Sequence, residues 1–286
     1  TPEPEFEPGI SLEELGDPLG DNVGDRLQAR IDSEPEAVAV DYAKLEGTNG
    51  GKVLDADTAR ELSPEYLADR SKAAEVHEAA SNFIQRQFDE LIEKPPREGE
   101  ENQVTFLAGG TGAGKSTAKD LVPEIIDESK VVLDGTMKSF KKAEVNVQKA
   151  LDAGNDVTIV YVHREPADAL EGALHRAERQ AAEFGTGRTV PTEVFAQAHE
   201  GAPATAVKLQ DKFKDDPRFT LIVVDNTHGA NNAKLADVDL LRNVNYTHRA
   251  KEADTQLEEA LNNGEISEKT YRGFKSEKAG SEKQAL

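Results

Sequence analysis

The sequence predicts an α/β fold in which helices pack on both faces of a mainly parallel five-stranded sheet. Five short runs of apolar, β-prone residues alternate along the chain with longer segments of helical periodicity. This alternation is typical of a parallel sheet built from strand-helix-strand units. The runs lie near residues 52–56, 103–108, 130–134, 157–163 and 220–225.

The run near 103–108 is followed by the glycine-rich stretch Gly109–Ser116 and then by a helical segment. This stretch matches the phosphate-binding loop (P-loop) pattern G-x-x-x-x-G-K-[ST] without a mismatch. Glycines let several backbone N–H groups approach one phosphate, because a side chain would block that approach. An ordinary glycine-rich turn is the alternative, but strand, loop and helix stand in the order that phosphate binding requires.

We therefore predict that this loop and the start of its helix bind a nucleotide. Lys115 is expected to hold the β and γ phosphates, and Ser116 to ligate Mg²⁺. The predicted nucleotide-binding residues are Gly109, Gly110, Thr111, Gly112, Ala113, Gly114, Lys115, Ser116 and Thr117.

The charge balance narrows the range of partners. The chain has 34 basic and 55 acidic residues among 286, a formal net charge of −21. Residues 1–50 alone contain 13 acids and 3 bases, a difference of −10. Such a chain lacks the basic surface that duplex nucleic acid requires, so we expect no nucleic acid partner. A nucleotide needs only a few local cations.

The absence of cysteine excludes disulfides and thiolate zinc sites and suits a cytoplasmic protein. No apolar run has the length of a membrane span, so we expect no membrane partner. The six histidines show no metal-binding spacing. The first residue is Thr1, so the chain is expected to be a processed or excised piece of a longer protein.

Three segments are predicted along the chain. Residues 1–35 mix proline, glycine and acids and are expected to form a mostly disordered acidic leader, either a solvated linker or an interaction tail. Residues 36–232 contain the α/β domain. Residues 233–286 are polar with helical periodicity and predict a helical extension, with a turn at 262–264 and Ser267 as a helix cap.

Two carboxylates, Asp55 and Asp57, close the first predicted strand, and a helix is expected to begin near Ala59. The strand ends of open α/β sheets carry catalytic groups. The same residues are also typical helix caps. Taken alone, the pattern favours capping.

Asp134 ends the third strand. In a P-loop protein an acid at this position would lie beside Mg²⁺, whereas an ordinary Asp would form a turn. Pro123 predicts a kink in the helix before this strand. Helices are also predicted over residues 74–94 and 140–151.

Arginines cluster after the fourth strand. The next helix carries Arg176 and Arg179, and the loop 185–191 carries Arg188. Arginines so placed could clamp a transferring phosphoryl group as a lid does. Surface arginines would instead face solvent or form ion pairs. The residues leave both roles open for Arg188 and favour the surface role for Arg179.

These motifs together resemble the zeta toxin family of P-loop kinases, which phosphorylate small molecules with ATP and Mg²⁺. The correspondence runs from Phe106 to about Leu209 and includes FLAGGTGAGKST, VVLDGT, VHREP and HRAERQAAEFGTGRTVP. The resemblance implies a three-layer P-loop kinase fold that transfers the γ-phosphoryl group of ATP to a hydroxyl. The family's best-known acceptor is UDP-N-acetylglucosamine, and a toxic kinase implies an antitoxin or immunity partner.

By the same resemblance, Lys115 and Ser116 bind nucleotide and Mg²⁺, and Asp134 stands where the family has an acid near the metal. Arg176 and Arg188 match the two arginines that stabilise the transferred phosphoryl group. The candidate substrate contacts are Asp55, Thr136 and Arg164.

One feature departs from the family's chain order. The family's catalytic aspartate lies on a strand for which there is no room between the P-loop helix and the strand near 130–134. The segments VLDADTARELSPEY and HEAASNFIQRQFDELI resemble the missing strand and helix but precede the P-loop. We therefore interpret the chain as circularly permuted, with Asp57 as the base and Asp55 beside it. A right-handed crossover allows this order.

Two functions of other classes stay open. A P-loop NTPase that moves a partner would hydrolyse nucleotide without an acceptor and tolerate Asp57→Asn. A nucleotide-binding module of a larger polyvalent protein would have no catalytic role. For a kinase, loss of Lys115 or Asp57 is expected to abolish turnover while the fold is kept.

Overall fold

The computed structural model describes residues 22–244 and 249–275. Within them lie six strands: β1 Val53–Asp55, β2 Glu101–Ala108, β3 Ser129–Asp134, β4 Asp156–His163, β5 Phe219–Asp225 and β6 Lys234–Ala236. The helices are α1 Val23–Ser33, α2 Pro35–Lys44, α3 Ala56–Ala59, α4 Pro64–Ala68, α5 His77–Glu93, α6 Lys115–Leu121, α7 Pro123–Glu128, α8 Phe140–Asp152, α9 Pro166–Phe184, α10 Thr192–Phe213, α11 Asp239–Arg242, α12 Arg249–Asn262 and α13 Glu268–Lys275.

The strands form one sheet in the order β1-β3-β2-β4-β5-β6. The first five are parallel, and β6 runs antiparallel to β5. The predicted α/β fold with a mainly parallel sheet is therefore confirmed, and all five predicted strands are present. Because the five strands are parallel, their carboxyl ends meet at one edge of the sheet.

Helices cover both faces of the sheet. On one face, α5, α8 and α10 pack against β2 and β4 around Phe88, Phe106 and Leu209. On the other, α6 and α7 pack against the strands through Ala118 and Ile126. A third apolar cluster joins α9 and α10 to α12 and α13. None of the helices within residues 22–244 and 249–275 has the length and apolarity needed to cross a membrane.

The segment after residue 232, expected to be a helical extension, begins with the short strand β6. Gly229 adopts a positive φ of 82°, and the chain turns back to pair Lys234–Ala236 with the edge of β5. A strand of three residues is too short to show an alternating pattern in the sequence. The rest of the segment agrees: α12 and α13 form a hairpin, and the Ser267 hydroxyl accepts a hydrogen bond from the Thr270 N–H.

Most of the predicted acidic leader lies outside the described residues, but its last part is helical. Asn22 accepts a hydrogen bond from the Gly24 N–H and caps α1. Leu27 and Ile31, one turn apart, are buried in the main core. The two apolar side chains share one helix face and anchor this acidic segment against the domain. Pro35 then begins α2.

Candidate active site

The carboxyl edge of the sheet gathers the chemically important residues. Asp55 at the end of β1 pairs in register with Asp134 at the end of β3, and Leu107 of β2 also pairs with Asp134. The P-loop, residues 109–116, leaves β2 at this same edge. The predicted metal ligand, the segment that carries the predicted base, and the phosphate-binding loop therefore all lie at the carboxyl edge of the sheet.

The P-loop has a backbone that requires glycine. Gly109 has a φ of 146° and Gly112 a φ of 76°, which side chains of other residues rarely allow. A Cβ atom at Gly109 would also lie 2.6 Å from the carbonyl oxygen of Val162. The loop packs this closely against β4 only because it has no side chain there.

Two side chains from distant parts of the sequence fix the peptide orientations of the loop. The His199 ring Nε2 lies 2.8 Å from the Thr111 carbonyl oxygen, and the Asn226 amide donates to the Ala113 carbonyl at 2.8 Å. The C=O and N–H of one trans peptide point in opposite directions. Holding these two carbonyls outward therefore turns the N–H groups of Gly112 and Gly114 to the opposite side, where a phosphate would bind.

Lys115 and Asp134 lie side by side at the mouth of the loop. The Lys115 ammonium is 3.5 Å from a carboxylate oxygen of Asp134, and both side chains are largely buried. Ser116, in the first turn of α6, is exposed. A glycine cradle, a lysine, a hydroxyl and a carboxylate are the donor set that Mg·ATP requires. The residues fit both predicted cofactors.

Asp55 acts as a helix cap. Its carboxylate accepts hydrogen bonds from the Asp57 N–H and the Thr58 hydroxyl, each at 2.9 Å. Tyr42 fixes the backbone before the cap, because its hydroxyl donates to the Val53 carbonyl and accepts from the Asp55 N–H, both at 2.9 Å. The capping alternative is therefore observed for Asp55, and this cap sets the position of Asp57.

Asp57 is an acid surrounded by cations. Arg188 pairs with its Oδ2 atom, and the Arg60 guanidinium lies 2.9 Å from Oδ1. Burial acts to raise the pKa of the Asp57 carboxyl, but the charges of Arg188, Arg60 and Lys115 outweigh it, so the pKa is lowered. Lys115 of the P-loop is one of the positive charges that lower this pKa. Asp57 is held ionised at neutral pH.

The arginines of the cleft are not fully satisfied by protein groups. Burial lowers the pKa of Arg176, and the nearby charge of Arg188 lowers it further. Buried Nε atoms without a hydrogen-bond partner among the described residues belong to Arg60, Arg164, Arg176 and Arg188. Buried donors of this kind require an acceptor. Asp57 pairs with terminal nitrogens of Arg60 and Arg188, which leaves the Nε donors without an acceptor.

The remaining predicted residues take up less central positions. Arg164 follows β4, and its guanidinium approaches Gly172 of α9. Thr136 lies between β3 and α8, partly buried. Arg179 is exposed, in agreement with a surface role. Thr117 belongs to α6, and its side chain lies outside the described part of the structure.

Sequence reasoning missed four residues of this region. His199 and Asn226 support the P-loop, and Arg60 pairs with Asp57. His77 Nδ1 lies 3.0 Å from Arg60. The sequence signal was weak: Asn226 directly follows a predicted strand, and Arg60 lies one turn beyond Asp57. His199 had no signal, because its partner Thr111 is 88 residues away.

The fold and this site define an α/β protein with a P-loop at the carboxyl edge of a mainly parallel sheet. Residues 127–233 match the family model described as Zeta toxin. The resemblance to the zeta toxin family that the motifs indicate is therefore confirmed, over a stretch that includes Asp134, Arg176 and Arg188. No curated protein sequence gives a significant match.

Solved structures similar to this chain share little sequence with it. One comes from the PezAT chromosomal toxin-antitoxin system of Streptococcus pneumoniae, with 12% identity, a TM-score of 0.41, and coverage of 85% of this chain and 83% of that chain. A second is the native AvrRxo1-ORF1:AvrRxo1-ORF2 complex, with 13% identity, a TM-score of 0.46, and coverage of 87% and 81%. The same complex with sulphate ions gives 14% identity, a TM-score of 0.43, and coverage of 87% and 83%.

Proposed function

We propose that this protein is a kinase that transfers the γ-phosphoryl group of ATP to a hydroxyl of a nucleotide sugar such as UDP-N-acetylglucosamine. The observation that carries the proposal is the group of partly buried arginines around Asp57. Their unpaired Nε donors and their positive charge suit the charge that develops on a phosphoryl group in transfer. The zeta toxin resemblance supplies the acceptor class.

In this mechanism the chain mainly positions groups. Mg²⁺, held by Ser116 and Asp134, would neutralise the phosphate oxygens of ATP. Lys115 holds the β and γ phosphates, while Arg176 and Arg188 contact the γ-phosphoryl group from the other side of the cleft. Thr136 and Arg164 are proposed as contacts of the acceptor.

Asp57 is proposed to hold the acceptor hydroxyl. A carboxylate has about four acceptor positions, and two of them remain when Arg60 and Arg188 are bound. Its lowered pKa makes it a weak base but keeps it ionised, so it aligns the hydroxyl and takes the proton late. This is sufficient because the transition state of phosphoryl transfer is loose and needs little activation of the nucleophile.

We further propose that the chain is a circular permutation of the zeta toxin order, with Asp57 in the role of the family's base. Two observations support this. β1, which precedes the P-loop in the chain, pairs with β3, which follows it, so the segment with Asp57 begins at the same edge of the sheet as Asp134. The match to the family model begins at residue 127, after α6, rather than at the P-loop.

The test is mass spectrometry of products after incubation with Mg·ATP and a panel of nucleotide sugars. A phosphorylated nucleotide sugar is expected from the unaltered chain. Asp57→Asn should lower kcat by a factor of about 100 to 10,000 while nucleotide binding is kept. Lys115→Ala should lose nucleotide binding, because the phosphates lose their cation.

Glu65→Gln is the matched control. Glu65 is also an ion-paired carboxylate in the first turn of a short helix, but it pairs with Arg26. It should lose some stability and keep full activity. Release of ADP without a phosphorylated acceptor, unchanged in Asp57→Asn, would refute the kinase and favour a P-loop NTPase or a nucleotide-binding module.

A kinase of this type would act in the bacterial cytoplasm, where ATP and nucleotide sugars occur. It would also need an antitoxin or immunity protein as a partner. Both statements are part of the proposal and rest on the family resemblance. Growth arrest on expression of the chain, relieved by Lys115→Ala, would support the toxic activity.

A further inference from the structure

The C-terminal hairpin, α12 and α13, packs on the part of the chain that carries the arginines. Leu257, Ile266 and Phe274 of the hairpin are buried against Leu170, Leu174 and Ala177 of α9. Phe195 of α10 completes the same cluster. The hairpin is therefore bound to the domain by an apolar core of its own, next to Arg176.

Polar contacts extend from this cluster to the loop 185–191. The Lys269 ammonium donates to the Gly185 carbonyl at 2.7 Å. The Ser267 N–H and hydroxyl both donate to Glu178 of α9, each at 2.8 Å. At the other end of the loop, the Thr192 hydroxyl donates to Asp254 at 2.6 Å, and Lys275 lies 3.2 Å from the same carboxylate. Both ends of the loop are thus tied to the hairpin.

The middle of the loop touches the hairpin at Gly273. A Cβ atom at this position would lie 2.6 Å from Cγ2 and Oγ1 of Thr189 and 2.9 Å from its Cβ. The side chain of threonine is short, so these atoms cannot move away without moving the loop backbone. Thr189 is the neighbour of Arg188, whose own N–H is held by the Gln180 side chain at 3.0 Å.

We propose that the hairpin is a positioning element for phosphoryl transfer, and that Gly273 and Lys269 are positioning residues which hold Arg188 against the cleft. The proposal rests on the kinase function proposed above. Neither residue touches the reacting groups. Each acts through the backbone of the loop, and the absent side chain of Gly273 allows α13 to lie directly against Thr189.

Gly273→Ala separates this role from ordinary helix stability, because the two predict opposite signs. Gly273 lies inside α13, where alanine is favoured over glycine by about 1 kcal/mol. If the loop could take up the added methyl group without moving Arg188, helix propensity alone would decide, and the substitution would stabilise the hairpin and leave activity unchanged. If the hairpin positions Arg188, the added methyl group displaces the loop and kcat falls.

We expect Gly273→Ala to lower kcat at least tenfold, with the KM for ATP changed less than about twofold, since the P-loop is untouched. The acidic limb of the pH profile of kcat should move to higher pH, because a displaced Arg188 no longer lowers the pKa of Asp57. Thr189→Ala removes the two nearest atoms, so combining it with Gly273→Ala should restore part of kcat.

Lys269→Met is a second, milder variant that keeps most of the unbranched side chain and removes the hydrogen bond to Gly185. Its kcat should also fall with the KM for ATP unchanged. Arg272→Ala is the control on the same helix, because Arg272 is exposed and its side chain pairs with Glu268 of α13. Full kcat in both Gly273→Ala and Lys269→Met would overturn the proposal.

Hydrogen exchange tests whether the hairpin holds the loop 185–191, and it needs no activity assay. The amides of residues 185–191 should exchange about tenfold faster in Gly273→Ala than in the unaltered chain, while those of β2 and β4 are unchanged. If no phosphorylated acceptor is ever found, the kinase function fails, and this measurement still decides whether the hairpin holds the loop. Unchanged exchange in the loop would overturn the positioning role.

Discussion

His199→Gln is expected to flatten the dependence of folding stability on pH. His199 is 3% exposed and its ring stacks at 4.4 Å on Phe195 beneath the P-loop. Burial lowers the pKa of its imidazole to about 4 from 6.5, and the positive charges of His163 and Lys115 act in the same direction. The folded state therefore keeps His199 neutral, while the unfolded chain takes up a proton as the pH falls below about 6.5.

The size of the change in folding stability with pH follows from the linkage between proton binding and folding. Stability that depends on neutral His199 is fully present above pH 6.5 and is lost as the pH falls towards 4, because only the unfolded state binds the proton in this range. Between about pH 7.5 and pH 5.2 the loss from this one group is about 1.7 kcal/mol. Glutamine does not titrate, and its amide can donate to the Thr111 carbonyl in place of the imidazole.

The assay is urea unfolding of both proteins at several pH values in that range, with the difference in the free energy of unfolding plotted against pH. The unaltered chain should lose about 1.7 kcal/mol more than His199→Gln on going to the lower pH. All other titrating groups are common to both proteins and cancel. Parallel curves would show that His199 is not kept neutral by folding, and would refute the burial of its imidazole as the cause of the lowered pKa.

Two further substitutions test buried hydrogen bonds that position the site. Tyr42→Phe should lower the free energy of unfolding by about 1–2 kcal/mol, because the hydroxyl holds both the Val53 carbonyl and the Asp55 N–H. Tyr271→Phe is the control: this side chain lies in the partly exposed hairpin, and its substitution should change the free energy of unfolding by less than about 0.5 kcal/mol. Lys130→Met should cost about 1–3 kcal/mol in urea unfolding, since the ammonium donates to two carbonyls at the end of α5 and to Asn102. A neutral result in either protein would contradict the corresponding bonds.

The strands and the P-loop could be predicted because their signals are local. The central strand β4 is buried on both faces from Val157 to Val162 and forms a nearly continuous apolar run. Pro123 separates α6 from α7 as expected, because proline cannot continue the first helix. The three-residue β6 gave no such signal, since its pairing depends on the edge of β5 rather than on its own sequence.

The site was only partly predictable because its residues act through distant partners. The residues alone left capping and catalysis open for the two acids after β1, and the structure divides the two roles. Asp55 forms the cap, and Asp57 is left to pair with Arg188, 131 residues further along the chain. The support of the P-loop by Asn226 spans 113 residues. Contacts between residues this far apart in the chain depend on how the strands are arranged in the sheet, and no spacing rule in the sequence can reveal them.

The sheet also explains why the proposed permutation is compatible with an intact site. Parallel strands present their carboxyl ends at one edge whatever their order along the chain. Asp57 needs only a strand next to β3, and the P-loop needs only the adjacent β2, so the cleft between them does not depend on which strand is made first. The order of the strands along the chain changes only how they are connected. Here α5 connects β1 to β2 and packs on β1 and β3. A break in chain continuity between α5 and β2, at the exposed link 95–100, should therefore leave the cleft assembled, provided that both fragments are present together.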